Sequence, residues 1–360
     1  MTSSSDLEQI ETRTLSLVRD FSFLHADDPV ANSCKAVADA VAQQAVTSSE
    51  GGKRLRALLT LDAFRAFAPQ DVAERDMDAV LDLACAIEVF QTGALVHDDI
   101  IDESDLRRGK PSAHHALEQA VHSGAIGRGL GLMLGDILAT ACIEITRRSA
   151  SRLPNTDALN EAFLTMQREV EIGQVLDLAV EMTPLSNPEA LANASLNVFR
   201  WKTASYTTIA PLLLALLAAG ESPDQARHCA LAVGRPLGLA FQLADDLLDV
   251  VGSSRNTGKP VGGDIREGKR TVLLADALSA ADTADKADLI AIFEEDCRND
   301  NQVARTIELF TSTGALDRSR ERIAALWGES RKAIAGLELN SEAQRRLTEA
   351  CARFVPESLR

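Results

Sequence analysis

Two short acidic runs stand out for the chemistry they could do: DDIID, with Asp98, Asp99 and Asp102, and far downstream DDLLD, with Asp245, Asp246 and Asp249. Each closes a long apolar stretch that reads as a helix. Residues four apart on an α-helix lie one turn apart on one face, so Asp98 stands beneath Asp102 and Asp245 beneath Asp249. Like charges stacked this way repel and cost a helix ~0.2–0.5 kcal/mol. An arrangement that disfavours folding, repeated in one chain, calls for a cation. Hard carboxylate oxygens suit Mg²⁺, which takes one or two carboxylates and completes its octahedron with water and phosphate oxygens. No His/Cys set competes for a softer metal.

Basic segments accompany the acidic ones. GGKRLR places Lys53, Arg54 and Arg56 at the mouth of an apolar helix, where backbone amides favour anions; the alternative there is a solvated basic face. The segment lacks the Gly-Lys-Ser/Thr ending of a P-loop. LRRGKP brings Arg107, Arg108 and Lys110 directly after the first motif, with simple neutralisation of the acidic run as the alternative. SSRNTGKPVGGDIREGKRT brings Lys259, Lys269 and Arg270 after the second. Lys202 and Thr203 sit in an otherwise apolar stretch, and a buried Lys is costly unless it meets an anion. Together these groups describe a diphosphate held by several Mg²⁺ ions between two helix ends, above an aliphatic interior. Metal ions and cationic side chains stabilise charge appearing on a leaving group. Departure of diphosphate from an allylic carbon fits that equipment. A dedicated base is inconspicuous: His97 adjoins the first cluster, with packing as its alternative role. Asp27 and Asp28 make no third copy, and Asp296 with Asp300 reads as surface.

The elements that position these groups are helices. The 360 residues are 46% apolar and only 4% aromatic, with Ala and Leu prominent, which favours packed helices over sheets. Helices are expected near 6–24, 32–46, 76–102, 115–123, 127–150, 157–180, 188–219 (kinked at Pro211) and 223–251. The helix ending in DDIID should be central, being apolar on most faces. Residues 1–5 are expected to be disordered. From Thr271 onward the chain reads as helical without chemical signal. No linker divides it, so one domain over 1–360 is expected.

The net charge of −16 argues against general nucleic-acid binding and against electrostatic docking on an anionic membrane. Six scattered cysteines without a CxxC pair read as reduced thiols of a cytoplasmic protein. MTSSSDLEQIE lacks signal-peptide order. The most apolar run, 211–219, is too short to span a bilayer, so no stable membrane insertion is expected.

GGKRLR, DDIID with LRRG, the Lys202-Thr203 pair, FQLADDLLD, GKP and EGKRT occur in an order and spacing that resembles the trans-isoprenyl diphosphate synthases (polyprenyl synthetase family) over about residues 30–330. The resemblance implies an all-α bundle of long, mostly antiparallel helices around a central elongated cavity, the isoprenoid synthase fold. It implies a homodimer, three Mg²⁺ per active site, and head-to-tail condensation of isopentenyl diphosphate with an allylic diphosphate. Asp98 and Asp102 would bind Mg²⁺ with Asp99 supporting; Asp245 would bind it with Asp246 and Asp249 as ligands or supports. Arg107, Lys202, Lys259 and Lys269 would contact the allylic diphosphate. Lys53, Arg56 and Arg108, with Arg54 in the same segment, would hold isopentenyl diphosphate, assisted by Gln91, where many bacterial members carry His. Thr203 and Gln242 would line the path of the carbocation. Proton loss to the released diphosphate would account for the missing base.

Product length is expected to depend on residues below Asp98. Gly93 and Ala94, one turn down, are small, and Phe90, roughly 12 Å down at 1.5 Å per residue, would act as a floor. The resemblance implies that aromatics at 93 and 94 would stop growth at fifteen carbons. Geranylgeranyl diphosphate is therefore expected, with farnesyl or longer products as alternatives. A terpene cyclase would mix Asn, Ser/Thr and Glu in its second motif and would not need a second diphosphate clamp. A non-catalytic synthase subunit would tend to lose one acidic motif.

Overall fold

The Ala- and Leu-rich composition produces the helical chain it predicts. Among the described residues the one sheet is a two-stranded antiparallel ribbon, Leu106–Arg107 (β1) paired with Lys110–Pro111 (β2). The computed structural model describes residues 3–25, 29–252 and 261–360; Asp27, Asp28 and Lys259 lie outside the described residues. The chain clusters into two compact units, Met1–Leu164 with Pro211–Ala226, and Thr165–Ala210 with Arg227–Arg360. None of these boundaries falls in a Pro/Gly-rich linker.

The first unit contains α1 (Ser3–Ser22), α2 (Asn32–Ser49), α3 (Leu55–Phe67), α4 (Gln70–Ile101), α5 (Ala113–Val121) and α6 (Gly124–Ala150). The helix α4, which carries DDIID, packs against all five others. From Asp82 to Phe90 every one of its residues is buried, as expected for a helix apolar on nearly all faces. Its two acids in that stretch have partners: Asp82 takes Arg13 and Arg152, and Glu88 takes Arg54. Nearer the acidic motif, α4 and α6 approach so closely that a Cβ on Gly93 would lie 3.1 Å from the Gly135 carbonyl oxygen and 3.2 Å from Leu138 Cβ. Gly135 in turn makes room for the His97 ring, whose Nε2 is 3.2 Å from the Leu132 carbonyl and 3.5 Å from Asp136. His97 therefore packs on α6, in keeping with the blander of its two expected roles.

Both α4 and α6 are long and apolar enough to cross a bilayer by length and composition, but 78% of the relevant stretch of α4 is buried in the protein. For α6 the figure is 44%. Its outer face shows Ile126, Met133 and Ile143, flanked by Leu132.

The second unit holds the later part of α7 (Thr156–Val180), α8 (Pro188–Val198), a π-helix (Phe199–Ile209), most of α10 (Pro223–Val251), a short helix Gly263–Glu267 and the C-terminal helices. Their starts are legible in the sequence. Asn187, Thr271, Asp282, Asn299 and Asn340 each accept a backbone N–H from the first turn that follows. Asn299 and Gln302 close a reciprocal capping box. The run expected as one helix over 188–219 differs: it widens over eleven residues before continuing as α9 (Ala210–Ala218). Pro211 has no N–H, and its ring crowds the carbonyl four residues back, a defect that a wider turn upstream accommodates.

Candidate active site

In the first unit, α4 ends inside its acidic motif. The amide of Asp102, the capping residue, donates to the Asp98 carbonyl at 2.8 Å. Carboxylates at a helix C-terminus face the negative end of its dipole, so the fold adds to the repulsion between them. Asp99 is buried and is gripped by Arg107, whose Nε lies 2.9 Å and 3.1 Å from its two oxygens and whose Nη2 also donates. Burial alone would lower the Arg107 pKa. The bond to Asp99 and the charges of Asp99, Asp98 and Asp102 outweigh it, and the net shift is upward. Asp98 is half-buried and Asp102 exposed, leaving the outer pair nearest to solvent.

The hairpin after the motif clasps the GGKRLR loop. Arg108, at φ 53°, donates from Nη1 to the Glu50 carbonyl at 2.6 Å, and Lys110 pairs with the Glu50 carboxylate at 2.9 Å. Burial and the neighbouring charge of Arg54 lower the Arg108 pKa, and the side chain stays open to solvent, within reach of an incoming anion. Thr47, Glu50, Thr92, Asp99, Arg107 and Arg108 line one cleft. Lys53 is exposed, Arg56 buried and Gln91 half-buried. Arg54 is a different case. It is 3% exposed, lies 2.6 Å from Glu11 and 3.5 Å from Glu88, and donates to the Ser49 carbonyl. Its guanidinium holds the loop on α1 and α4, a structural task beside the substrate-binding one expected of it.

In the second unit α10 presents Asp245 exposed, Asp246 buried and Asp249 half-buried. Gln242 Nε2 donates to Asp246 Oδ1 at 2.8 Å, and Thr203 Oγ1 donates to Gln242 Oε1 at 2.9 Å. The three expected residues thus form one hydrogen-bonded row. Asp246 Oδ2 is buried without a hydrogen-bond partner among the described residues. Burial, then the charge of Asp264, with Asp245 behind it, pushes this carboxyl well above its ordinary range. Asp249 accepts the amides of Gly263 and Asp264 at 3.2 Å and 3.1 Å, so it also anchors the loop that follows. Desolvation pushes Asp264 up to about 6; Lys269 opposes this and Asp249 adds to it. Lys269 lies 2.8 Å from Glu267 and 3.6 Å from Asp264.

Lys202 rides on the π-helix and reaches Asp177 on α7 at 2.6 Å. The two elements touch at Gly173, where any Cβ would collide with the Lys202 backbone. Glu50, Glu88, Asp177 and Asp264 were missed from sequence. A signal existed for two of them: Asp177 follows Gly173 by one helical turn, and Asp264 is an acid inside a basic glycine-rich loop.

These groups fit magnesium. A buried carboxylate oxygen without a hydrogen-bond partner among the described residues, and two acid clusters near helix C-termini, need a cation, and all the donors are hard oxygens. Among the described residues no three acidic, imidazole or thiol groups form a ready-made cage, and Mg²⁺ does not need one, because substrate phosphates and water complete its shell.

The model of one family, polyprenyl synthetase, matches residues 38–310. The chain belongs to the polyprenyl synthetase family. It is a prenyltransferase of the trans-isoprenyl diphosphate synthase class. Among members of the family it is similar to the short chain isoprenyl diphosphate synthase of Methanocaldococcus jannaschii, 30% identical over 262 residues, 72% of each chain. It is also similar to the octaprenyl diphosphate synthase of Escherichia coli, 30% identical over 291 residues, 81% of each chain. A solved geranylgeranyl pyrophosphate synthase from Corynebacterium glutamicum, complexed with isoprenyl diphosphate and magnesium, superposes with a TM-score of 0.85 at 30% identity, covering 98% of this chain and 99% of that one. The all-α isoprenoid synthase fold expected from sequence is the fold found.

Proposed function

We propose that this prenyltransferase condenses isopentenyl diphosphate head-to-tail with dimethylallyl, geranyl or farnesyl diphosphate and releases mainly geranylgeranyl diphosphate. The observation that carries the diphosphate chemistry is Asp246 Oδ2, a desolvated carboxylate oxygen without a hydrogen-bond partner among the described residues, near the end of an acid-bearing helix. Asp98 and Asp102 in one unit, and Asp245 and Asp249 in the other, hold magnesium, with three ions in the full complement. Bound magnesium neutralises the charge that grows on the leaving diphosphate. Arg107, Lys202 and Lys269 orient the allylic diphosphate, and Lys53, Arg56, Arg108 and Gln91 orient isopentenyl diphosphate. The Thr203–Gln242 row turns oxygen dipoles toward the allylic cation while the isopentenyl double bond attacks it. The proton then lost passes to the released diphosphate.

Ala94, half-buried on the same helix as Asp98, and the absence of aromatics at 93 and 94 support growth beyond fifteen carbons. The neighbour from Corynebacterium, named for a twenty-carbon product, supports stopping there. Incubation with isopentenyl diphosphate, each allylic primer and Mg²⁺, followed by chromatography, is expected to give the twenty-carbon diphosphate. A dominant forty-carbon product, or cyclised hydrocarbon, would overturn this reading.

The exposed Ile126, Leu132, Met133 and Ile143 on α6 support a homodimer, since large apolar side chains grouped on one helix favour a partner. Light scattering is expected to report twice the 38.6 kDa chain mass; a monomer at micromolar concentration would remove this part.

A further inference from the structure

The chain after Thr271 shows no chemical pattern, yet it brackets the loop behind the second acidic motif. That loop leads from Val261 through the short helix Gly263–Glu267 to Lys269. Arg266 reaches Asp300, the first residue of the helix Asp300–Ser312, at 2.6 Å. The stronger bracket is Arg298. Its Nη2 donates to the Phe293 carbonyl at 3.1 Å, and its Nη1 lies 3.4 Å from the carbonyls of Arg266 and Asp296. Its guanidinium carbon sits 5.8 Å from the Phe293 ring centre. Gly268, at φ 80°, lies directly against this guanidinium, and a Cβ at that position would collide with its carbon and both terminal nitrogens.

Arg298 thus touches the backbone at Arg266 and at Gly268, the two residues that set the turn into Lys269. The front of the same loop donates the Gly263 and Asp264 amides to Asp249. We infer that Arg298 is a positioning residue for the second acidic site, fixing the turn at Gly268 and through it the placement of Lys269 and of the amides that orient Asp249. The inference rests on the reading of Asp249 and Lys269 as magnesium- and diphosphate-holding groups. A planar fork reaching three carbonyls while lying against a glycine is a task Lys cannot copy. The selectivity of the effect follows from the geometry: the contacts of Arg298 run to this loop and to Phe293 and Asp296 beside it.

The test uses the full chain with Arg298→Ala and Arg298→Lys, and reads KM for farnesyl diphosphate, KM for isopentenyl diphosphate, half-saturating Mg²⁺ and the melting temperature. Both variants are expected to raise the farnesyl diphosphate KM and the Mg²⁺ requirement about ten-fold, with the isopentenyl diphosphate KM changed less than about two-fold. If Arg298→Ala does not fold, Gly268→Ala presses on the same turn from the other side and is expected to show the same split. An active wild type whose variants keep their farnesyl diphosphate KM overturns the inference alone. Equal rises in both KM values overturn it too, since they would mark a general structural anchor. A wild type inert with every primer overturns the proposed function and this inference with it.

Discussion

In the first acidic motif the second carboxylate, Asp99, receives a guanidinium from the hairpin that follows it. In the second motif Asp246 occupies the same place in the pattern, with a Gln242 amide on one oxygen and, among the described residues, no hydrogen bond on the other. Both are buried, at 2% and 4% exposure, so the contrast lies in the partner and not in solvent access. Asp99 and Arg107 satisfy each other before any substrate arrives. Asp246 is left in a desolvated negative cluster with Asp264 and Asp245, a cost that a cation from outside relieves. The buried acid of the first motif is supported from within the fold, and that of the second couples its stability to what it binds.

That contrast can be broken most directly by removing one charge from each. Asp99→Asn strands Arg107 and is expected to lower unfolding free energy by about 2–3 kcal/mol in metal-free buffer. Asp246→Asn keeps the bond from Gln242 and is expected to stay within about 1 kcal/mol of wild type, while losing much of the melting-temperature rise given by Mg²⁺ with pyrophosphate. Equal losses in urea denaturation would show the two sites to be alike after all.

An effect no larger than this, read in turnover, is expected from Gly173→Ala, which pushes the π-helix off α7 and shifts Lys202 away from Asp177. Misplacement on the scale of 1 Å is expected to reduce kcat by up to about 10²-fold, with little change in the isopentenyl diphosphate KM. Steady-state kinetics that move only that KM would count against a role for the wide turn in aiming Lys202.

The smallest change separates two neighbours below the first motif. Ala94→Phe is expected to shorten the product with stability changed by less than about 1 kcal/mol. Gly93→Phe would press into the α6 backbone and is expected to cost about 1–3 kcal/mol. The pairing of Gly93 with Ala94 as equivalent length gauges is thus a point at which the tertiary structure sharpens the sequence reading. Chromatography and thermal unfolding of both variants would settle it. A shortened product from Gly93→Phe without loss of stability would restore their equivalence.

Much of the site was legible before any packing was known. The four-residue spacing of Asp98 with Asp102, and of Asp245 with Asp249, follows from helix geometry alone. The cations after each motif lie within a few residues of it, and an Ala/Leu-rich chain poor in aromatics has little option but helices. The roles of Arg54, Glu50, Asp177, Asp264 and Arg298 could not be read the same way. Arg54, Glu50, Asp177 and Arg298 meet residues 25 to 58 positions away, and Asp264 meets Asp249 through its backbone amide across a turn of the chain. Periodicity reports which face a side chain occupies on its own helix. Which charge it meets there, and whether water reaches it, is decided when helices pack, because pairing and desolvation are properties of the assembled core.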